Sequence, residues 1–211
     1  MGVSSAEDEI ALGHGDVRVA DPETMSVRLE TERLVLRLPQ LGDVDGIVEF
    51  VGDGEVMRWI GGEPGDRAAA IEHVERWIAR WERNGVGQFV VLLDGRPIGR
   101  VGLLVWDART WQTSTYAAAG EHAETELGWA LTSRHWGHGY ATEAARGVRA
   151  WAYAERRVER LISLIDPENA RSTRVAEKLG AWPDERIETA LGPAVVWVHP
   201  RDPTSDRASN R

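Results

Sequence analysis

Apolar and polar residues change period several times along the chain, and each change marks an element. Leu34, Leu36 and Leu38 alternate with Val35 and Arg37, which predicts a first strand closed by Pro39. Asp43 is placed to cap a short helix running to Val51, and a further helical turn covers residues 55–60. After Asp66, a second capping position, Ile71, Val74, Ile78 and Trp81 recur at helical spacing. They predict a long amphipathic helix ended by Asn84-Gly85. Residues 88–93 and 98–106 read as two strands joined through Asp94-Gly95, a strong hairpin signal. Residues 107–120, rich in Thr, Ser and Ala, read as a flexible connection. A strand over 124–131, a helix over 139–155, a strand over 160–165 and a helix over 169–179 closed by Gly180 follow. Two short strands, near 186–189 and 195–198, finish the pattern.

This order predicts a mixed α/β sheet with antiparallel hairpins in its first half and a βαβ unit in its second. The unit sets strand 124–131 parallel to strand 160–165, with the intervening loop at the C-terminal end of the first, where open α/β sheets bind ligands. Residues 1–25 and those after Pro200 lack periodicity and read as mobile arms, which leaves residues 26–200 as one domain. No apolar run approaches the ~18 residues a membrane span needs. The acidic N-terminus does not read as a secretory signal, so a cytoplasmic protein is the simplest expectation. The absence of cysteine excludes disulfides, thiolate metal sites and a cysteine nucleophile. A formal charge of −9 argues against broad nucleic-acid binding. It leaves room for a locally positive site, and arginines and histidines do crowd between Arg134 and Arg160.

The candidate chemistry sits in Arg134-His135-Trp136-Gly137-His138-Gly139, which runs into the small-residue helix start Tyr140-Ala141-Thr142. A helix N-terminus carries unpaired N–H groups and a partial positive charge, so it is an anion site. For a pyrophosphate to touch those amides the preceding turn must lack bulky Cβ atoms, a need met by Gly137 and Gly139. Arg134 adds a charge-assisted contact, and His135 and His138 add hydrogen-bonding groups. The spacing is neither the six-position glycine pattern of dinucleotide folds nor the Gly-Lys-Ser/Thr of phosphate-loop NTPases. His135 and His138 have no third ligand in pattern, and no metal is expected.

Together with Glu143-Ala144, this loop resembles the acetyl-CoA pyrophosphate loop of the GNAT superfamily. Three further segments resemble its branch of ribosomal-protein N-terminal (alanine/serine) acetyltransferases. They are Leu29-Glu30-Thr31-Glu32-Arg33-Leu34-Val35-Leu36-Arg37, Glu126-Leu127-Gly128-Trp129, and Asn169-x-x-Ser172 leading to Glu177-Lys178-Leu179-Gly180. The resemblance spans roughly residues 28–198. It implies a mostly antiparallel central sheet of about six to seven strands flanked by helices, with a splayed parallel pair at the acyl-CoA site.

The resemblance further implies an acyl-CoA-dependent N-acyltransferase, moving an acetyl group from acetyl-CoA to a primary amine through a tetrahedral intermediate. The thioester carbonyl would meet backbone N–H groups around Ala130, Leu131 and Thr132, and the pyrophosphate would meet residues 134–142. Asn169 would touch the pantetheine arm as well as cap its helix, and Lys178 joins the cofactor set. Glu126 is the candidate general base, acting through a water, with Glu124 its competitor. Where many members carry a tyrosine as general acid, this chain has Ala176, which leaves Ser172, a water or no dedicated acid. Two alternatives stand beside this reading: a non-catalytic CoA-binding regulatory module, and an enzyme using another donor such as succinyl-CoA. Trp59, Trp106, Trp111 and Trp129 fall where the family places its acceptor groove or the strands beside it. The overall acidity suits a cationic acceptor such as a peptide N-terminus, a polyamine or an aminoglycoside. A homodimer is common for such folds.

Overall fold

The computed structural model describes residues 27–201, so the two expected terminal arms lie outside the described residues. In chain order the elements are β1 (Arg28–Glu30), β2 (Leu34–Arg37), α1 (Val44–Gly52), α2 (Gly54–Ile60), α3 (Arg67–Asn84), β3 (Gln88–Leu93) and β4 (Arg96–Asp107). Then come β5 (Gln112–Thr113), α4 (Tyr116–Ala119), β6 (Ala123–Leu131), α5 (Tyr140–Ala154), β7 (Leu161–Ile165), α6 (Ala170–Lys178), β8 (Trp182–Thr189) and β9 (Gly192–Val198). One sheet runs β1-β2-β3-β4-β6-β7-β9-β8, with β5 hydrogen-bonded to the end of β4. Its nine strands exceed the six to seven expected, because β1 and β5 are too short to show a period. All neighbours are antiparallel except β6 and β7.

The β3–β4 turn has both Asp94 (φ 50°) and Gly95 (φ 76°) in the left-handed region, the backbone that a two-residue hairpin requires. Opposite residues on an antiparallel pair share a face, so the register sorts the sheet's two sides. Val90, Arg100 and Ala130 lie on one side, with Leu104 opposite Glu126 on that same side. Against it pack α1 and α3 through Ile47, Phe50, Val74 and Trp77. Val101, Leu103, Val105, Leu127 and Leu131 face the other side, beneath Val148, Trp151 and Ala152 of α5.

Two details depart from the periodic reading. The buried stripe of α3 is Ala70, Val74, Trp77 and Trp81, while Ile71 and Ile78 flank it half-buried. The large indole of Trp77 takes the centre, edge-on to Phe50 with ring centroids 6.1 Å apart. Asp43 does not cap α1 with its side chain. Its carboxylate is taken by the Arg37 guanidinium and the Gln40 N–H, 2.8 Å away, which ties β2 to the start of the helix layer.

Trp81 is the pivot at the C-terminal end of α3. Its Nε1–H donates to the Gln88 carbonyl at 2.8 Å, and its ring meets Phe89 edge-on at 4.9 Å and Trp151 at 5.8 Å. Trp81→Ala removes this packing and leaves a buried carbonyl unpaired, so unfolding free energy falls by about 3–5 kcal/mol. Urea denaturation followed by far-UV circular dichroism, with an unchanged m-value, checks it.

A buried polar pair joins β7 to the strand ends beside it. Ser163 Oγ donates to the Leu127 carbonyl at 2.5 Å and sits 2.8 Å from His199 Nε2. Since the hydroxyl hydrogen is used on the carbonyl, His199 Nε2–H must be the donor to Ser163, which fixes the neutral tautomer. The other ring nitrogen, Nδ1, is buried with no partner, so a proton there would be stranded. Burial, aided by Arg149, accordingly holds the His199 pKa down at about 3. The unfolded chain takes up a proton near pH 6.5 that the folded chain refuses until about 3. Stability is therefore complete above pH 6.5 and declines as pH falls through that window, by about 1.4 kcal/mol per pH unit for one proton. Thermal melts between pH 7 and pH 4 should show His199→Gln, which keeps an N–H donor but does not titrate, with the shallower decline.

Candidate active site at the interrupted strand pair

The parallel ladder between β6 and β7 holds only at Thr125↔Leu161 and Glu126↔Ile162. Past it, β6 continues to Leu131 and β7 to Ile165 with their facing edges unladdered. One side-chain link bridges the strands just beyond the last rung, from Ser163 Oγ to the Leu127 carbonyl. A cavity of about 570 Å³ opens here and is lined from both sides of the sheet, by α2 and α3 on one side and by the start of α5 and by α6 on the other.

The loop between β6 and α5 is held from several directions. Ser133 N–H donates to Asp53 Oδ2 at 2.7 Å, Trp136 Nε1–H to the Leu131 carbonyl at 2.8 Å, and Thr132 Oγ1 lies 2.6 Å from His135 Nδ1. Gly137 (φ 82°) and Gly139 (φ 84°) are both left-handed, a backbone that residues with a Cβ rarely adopt. No side chain caps α5, so the amides of its first turn are left for an external acceptor. A clamp from the N-terminal segment sets the turn's height. Thr31 Oγ1 donates to Glu143 Oε1 at 2.6 Å, and Arg33 Nε donates to Glu143 Oε2 at 2.8 Å. The same guanidinium bonds the His138 carbonyl at 3.1 Å and lies 4.5 Å over the Tyr140 ring. An open amide turn behind two left-handed glycines fits a pyrophosphate group.

Most of the residues singled out from sequence converge here. Glu126, Ala130 and Leu131 line the cavity, as do residues 135–137 and 139–142 and, on α6, Asn169, Ser172 and Lys178. Asn169 caps α6 by accepting from the Ser172 N–H at 3.0 Å. Three others turn elsewhere. Arg134 is drawn outward by Glu49, 2.9 Å away. His138 stacks on the Tyr140 ring at 5.6 Å and presents its carbonyl to Arg33. Thr132 is buried, with its hydroxyl spent on the Ile98 carbonyl and His135. In place of Arg134, Arg171 of α6 lines the cavity with its guanidinium 4.6 Å above the Trp136 ring. Ala176 packs into a buried cluster with Ile165 and Ala181 and contributes nothing polar to the wall.

Glu126 is buried and faces the α3 side of the sheet. Its Oε2 accepts the Trp106 indole N–H at 2.6 Å. Burial pushes its carboxyl above the ordinary range, against the opposing pull of Trp106, Arg100, the Leu164 N–H and Arg80. The competitor Glu124 is paired with Arg160 at 2.5 Å. Trp59, Trp106 and Trp129 line the cavity, whereas Trp111 packs against Ile162, Ile187 and Val196.

Sequence reasoning missed the basic wall of the α3 side. His73, Arg76, Trp77 and Arg80 follow the i, i+3, i+4, i+7 rule on one face of α3, and with Arg58 and Arg100 they line the cavity. The signal was present in the spacing, but such arginines read equally well as a solvated helix face. Burial and the neighbouring guanidiniums hold His73 at about 4, so it is neutral at pH 7. No helix among the described residues is long and apolar enough to cross a membrane, and no three-residue cluster of metal-ligating side chains occurs among them.

Comparisons with known proteins agree with this geometry. The family model described as an acetyltransferase (GNAT) domain matches residues 33–181. YkkB of Bacillus subtilis is 42% identical over 177 residues, 81% of this chain and 94% of that protein. The crystal structure of an acetyltransferase from Agrobacterium tumefaciens superimposes with a TM-score of 0.66 at 28% identity, over 82% of this chain and 94% of that one. A ribosomal-protein-serine acetyltransferase structure from Vibrio cholerae shares the fold at 18% identity, with a TM-score of 0.63 over 83% of this chain and 97% of that one. With its strand interruption, its glycine-bearing amide turn and a family match over most of its described length, the chain belongs to the GNAT acetyltransferase family.

Proposed function

We propose that the protein transfers the acetyl group of acetyl-CoA to a primary amine, with Glu126 as the group that receives the amine's proton. One observation carries the reading: the cavity that reaches the open amide turn of α5 also reaches the buried Glu126 carboxylate, across the gap between β6 and β7. The amine nitrogen bonds to the thioester carbonyl carbon, the carbon–sulfur bond breaks, the amine proton passes to Glu126 through a water, and the thiolate leaves after taking a proton. The first-turn amides of α5 and the guanidinium of Arg171 hold the pyrophosphate. The unladdered edge of β6 at Ala130 and Leu131 offers backbone N–H groups to the thioester carbonyl and to the pantetheine amides. Glu126 suits its role because burial lifts its affinity for a proton while Trp106 fixes its position. With Ala176 buried, the hydroxyl of Ser172 or a water supplies the proton for the thiolate.

Isothermal titration with acetyl-CoA, followed by free-thiol release across an amine panel, tests the reading. Wild type should bind and turn over; binding without thiol release from any amine would support a regulatory module instead. Gly139→Val forces a Cβ onto a left-handed residue at the amide turn and should weaken acetyl-CoA binding at least ~10-fold. Glu126→Gln should lower kcat by about 10²-fold with KM for acetyl-CoA little changed, and flatten the alkaline-rising limb of the kcat/KM profile.

A further inference from the structure

On the reading that this cavity acetylates an amine, we infer that the acceptor is a compact anionic amine, its carboxylate or phosphate seated by Arg76, Arg80 and Arg100 beside Glu126. The chain as a whole carries −9, yet the α3 side of the cavity has the opposite sign. Arg58, Arg76, Arg80 and Arg100 stand there against one carboxylate, Glu126. Among the described residues no ion pair joins Arg76, Arg80 or Arg100 to any acid. Arg80 donates once, to Gln88 Oε1 at 3.0 Å, and the Arg100 guanidinium has no hydrogen-bond partner among them.

Several cations facing a single carboxylate repel one another more than that carboxylate offsets. Burial first, and then Arg100 and Arg76, pull the Arg80 pKa down to about 10, and burial lowers Arg100 as well. A cluster held in that state gains from any anion that enters it. The arginines also form a path. Arg76 is exposed and, with Arg80 and Arg83, lines the neighbouring groove, whose outer rim also carries Glu72 and Glu75. Arg100 stands on the sheet floor, where among the described residues no acid but Glu126 acts on it. Such a gradient draws an anion inward from solvent.

Gly128 sets the length of the acceptor. A Cβ there would stand 3.6 Å from Glu126 Oε1 and 3.7 Å from Arg100 Nη1, so the proton acceptor and the anion anchor flank one bare stretch of strand. An amine at Glu126 and an anionic group at Arg100 are then separated by a few bonds, the scale of an amino acid or a phosphorylated amino alcohol. The guanidiniums serve the chemistry too, because they disfavour the ammonium form of the bound amine and leave its lone pair free. A polycation such as spermidine or an aminoglycoside would bring charge of the wrong sign to this wall. An anionic acyl group on the donor would use Arg100, but it would not require the line of arginines leading to solvent.

The experiment measures kcat/KM by thiol release for glutamate, β-alanine and phosphoethanolamine, for the uncharged analogues glycinamide and ethanolamine, and for spermidine and kanamycin. Each is run with acetyl-CoA and with succinyl-CoA. Direct titration of the same compounds into the CoA-bound protein is read in parallel. The expected result is a preference of about 10- to 100-fold for an anionic amine over its uncharged analogue. The carboxylate and phosphate arms show which anion is taken. Arg100→Met should raise KM for that amine by a similar factor with KM for acetyl-CoA unchanged, and Arg80→Gln should do so less. Arg96→Gln, at the exposed start of β4 outside both the cavity and the groove, should change neither. Faster turnover or tighter binding of uncharged or cationic amines overturns the inference while leaving the acetyltransferase reading intact. So does an Arg100→Met effect confined to succinyl-CoA. If no amine turns over, the acetyltransferase reading fails, and the titrations alone then decide whether the arginine wall binds anionic amines.

Discussion

Where the hydrogen-bonding between β6 and β7 stops determines most of what this molecule can do. Parallel strands are ordinarily buried and fully laddered, and an unladdered edge inside a sheet leaves backbone groups unpaired at a real energetic cost. Here the ladder ends after Glu126↔Ile162, and the Ser163 link beside the last rung ties the two strands where it stops. Ser163 is anchored in turn by a neutral histidine whose neutrality burial enforces. The break turns a sheet that would separate its two helix layers into one that connects them. Without it the α5 amide turn and the α3 arginines would lie on opposite sides of a continuous wall.

The charge distribution follows from that connection. A buried carboxylate among arginines ordinarily closes into ion pairs, which would lower its pKa and consume its lone pairs. Glu126 avoids this because its carboxylate accepts instead from the neutral Trp106 indole N–H. Arg100 is near enough to act through space, but the effect of burial remains the larger, so the carboxyl stays more basic than usual. Arg100 in turn stays unpaired. Carboxylate and guanidinium thus stand side by side without an ion pair between them, as the proposed roles of base and anion anchor require.

Much of this frame was legible in the sequence, where local chemistry decided the outcome. Asp94-Gly95, the Gly137–Gly139 turn, the Asp66 cap and the Asn169 cap each follow from the backbone that one residue type prefers. Failures came where a tertiary partner outbid the local one. Asp43 would have capped α1 had Arg37 not been opposite it, and Arg134 pairs with the exposed Glu49 on the neighbouring helix. Trp77 took the centre of the α3 stripe from Ile71 and Ile78 because it has the larger area to bury. Arginines 76 and 80 carried no local signal that sets them apart from a solvated helix face, and it is the packing of α3 over the sheet that turns them to the cavity.

The segment Thr31 to Arg33 was legible as a family pattern but not as a mechanism, and its physical role resolves a conflict at the amide turn. Glu143 sits in the first turn of α5, where a negative charge is favoured by the helix dipole and would compete with a bound anion for the same positive end. Arg33 offsets that charge at 2.7 Å, and Thr31 takes the remaining lone pair of Oε1. The carboxylate is thereby spent on the N-terminal segment, and hydrogen bonding from these donors outweighs burial in keeping it ionised. The amides ahead of it stay open. By also bonding the His138 carbonyl and covering the Tyr140 ring, Arg33 holds the glycine turn in place. A residue more than a hundred positions away in sequence thus presets the turn that the proposed function gives to the pyrophosphate, and on that reading the ligand has less ordering to impose when it binds.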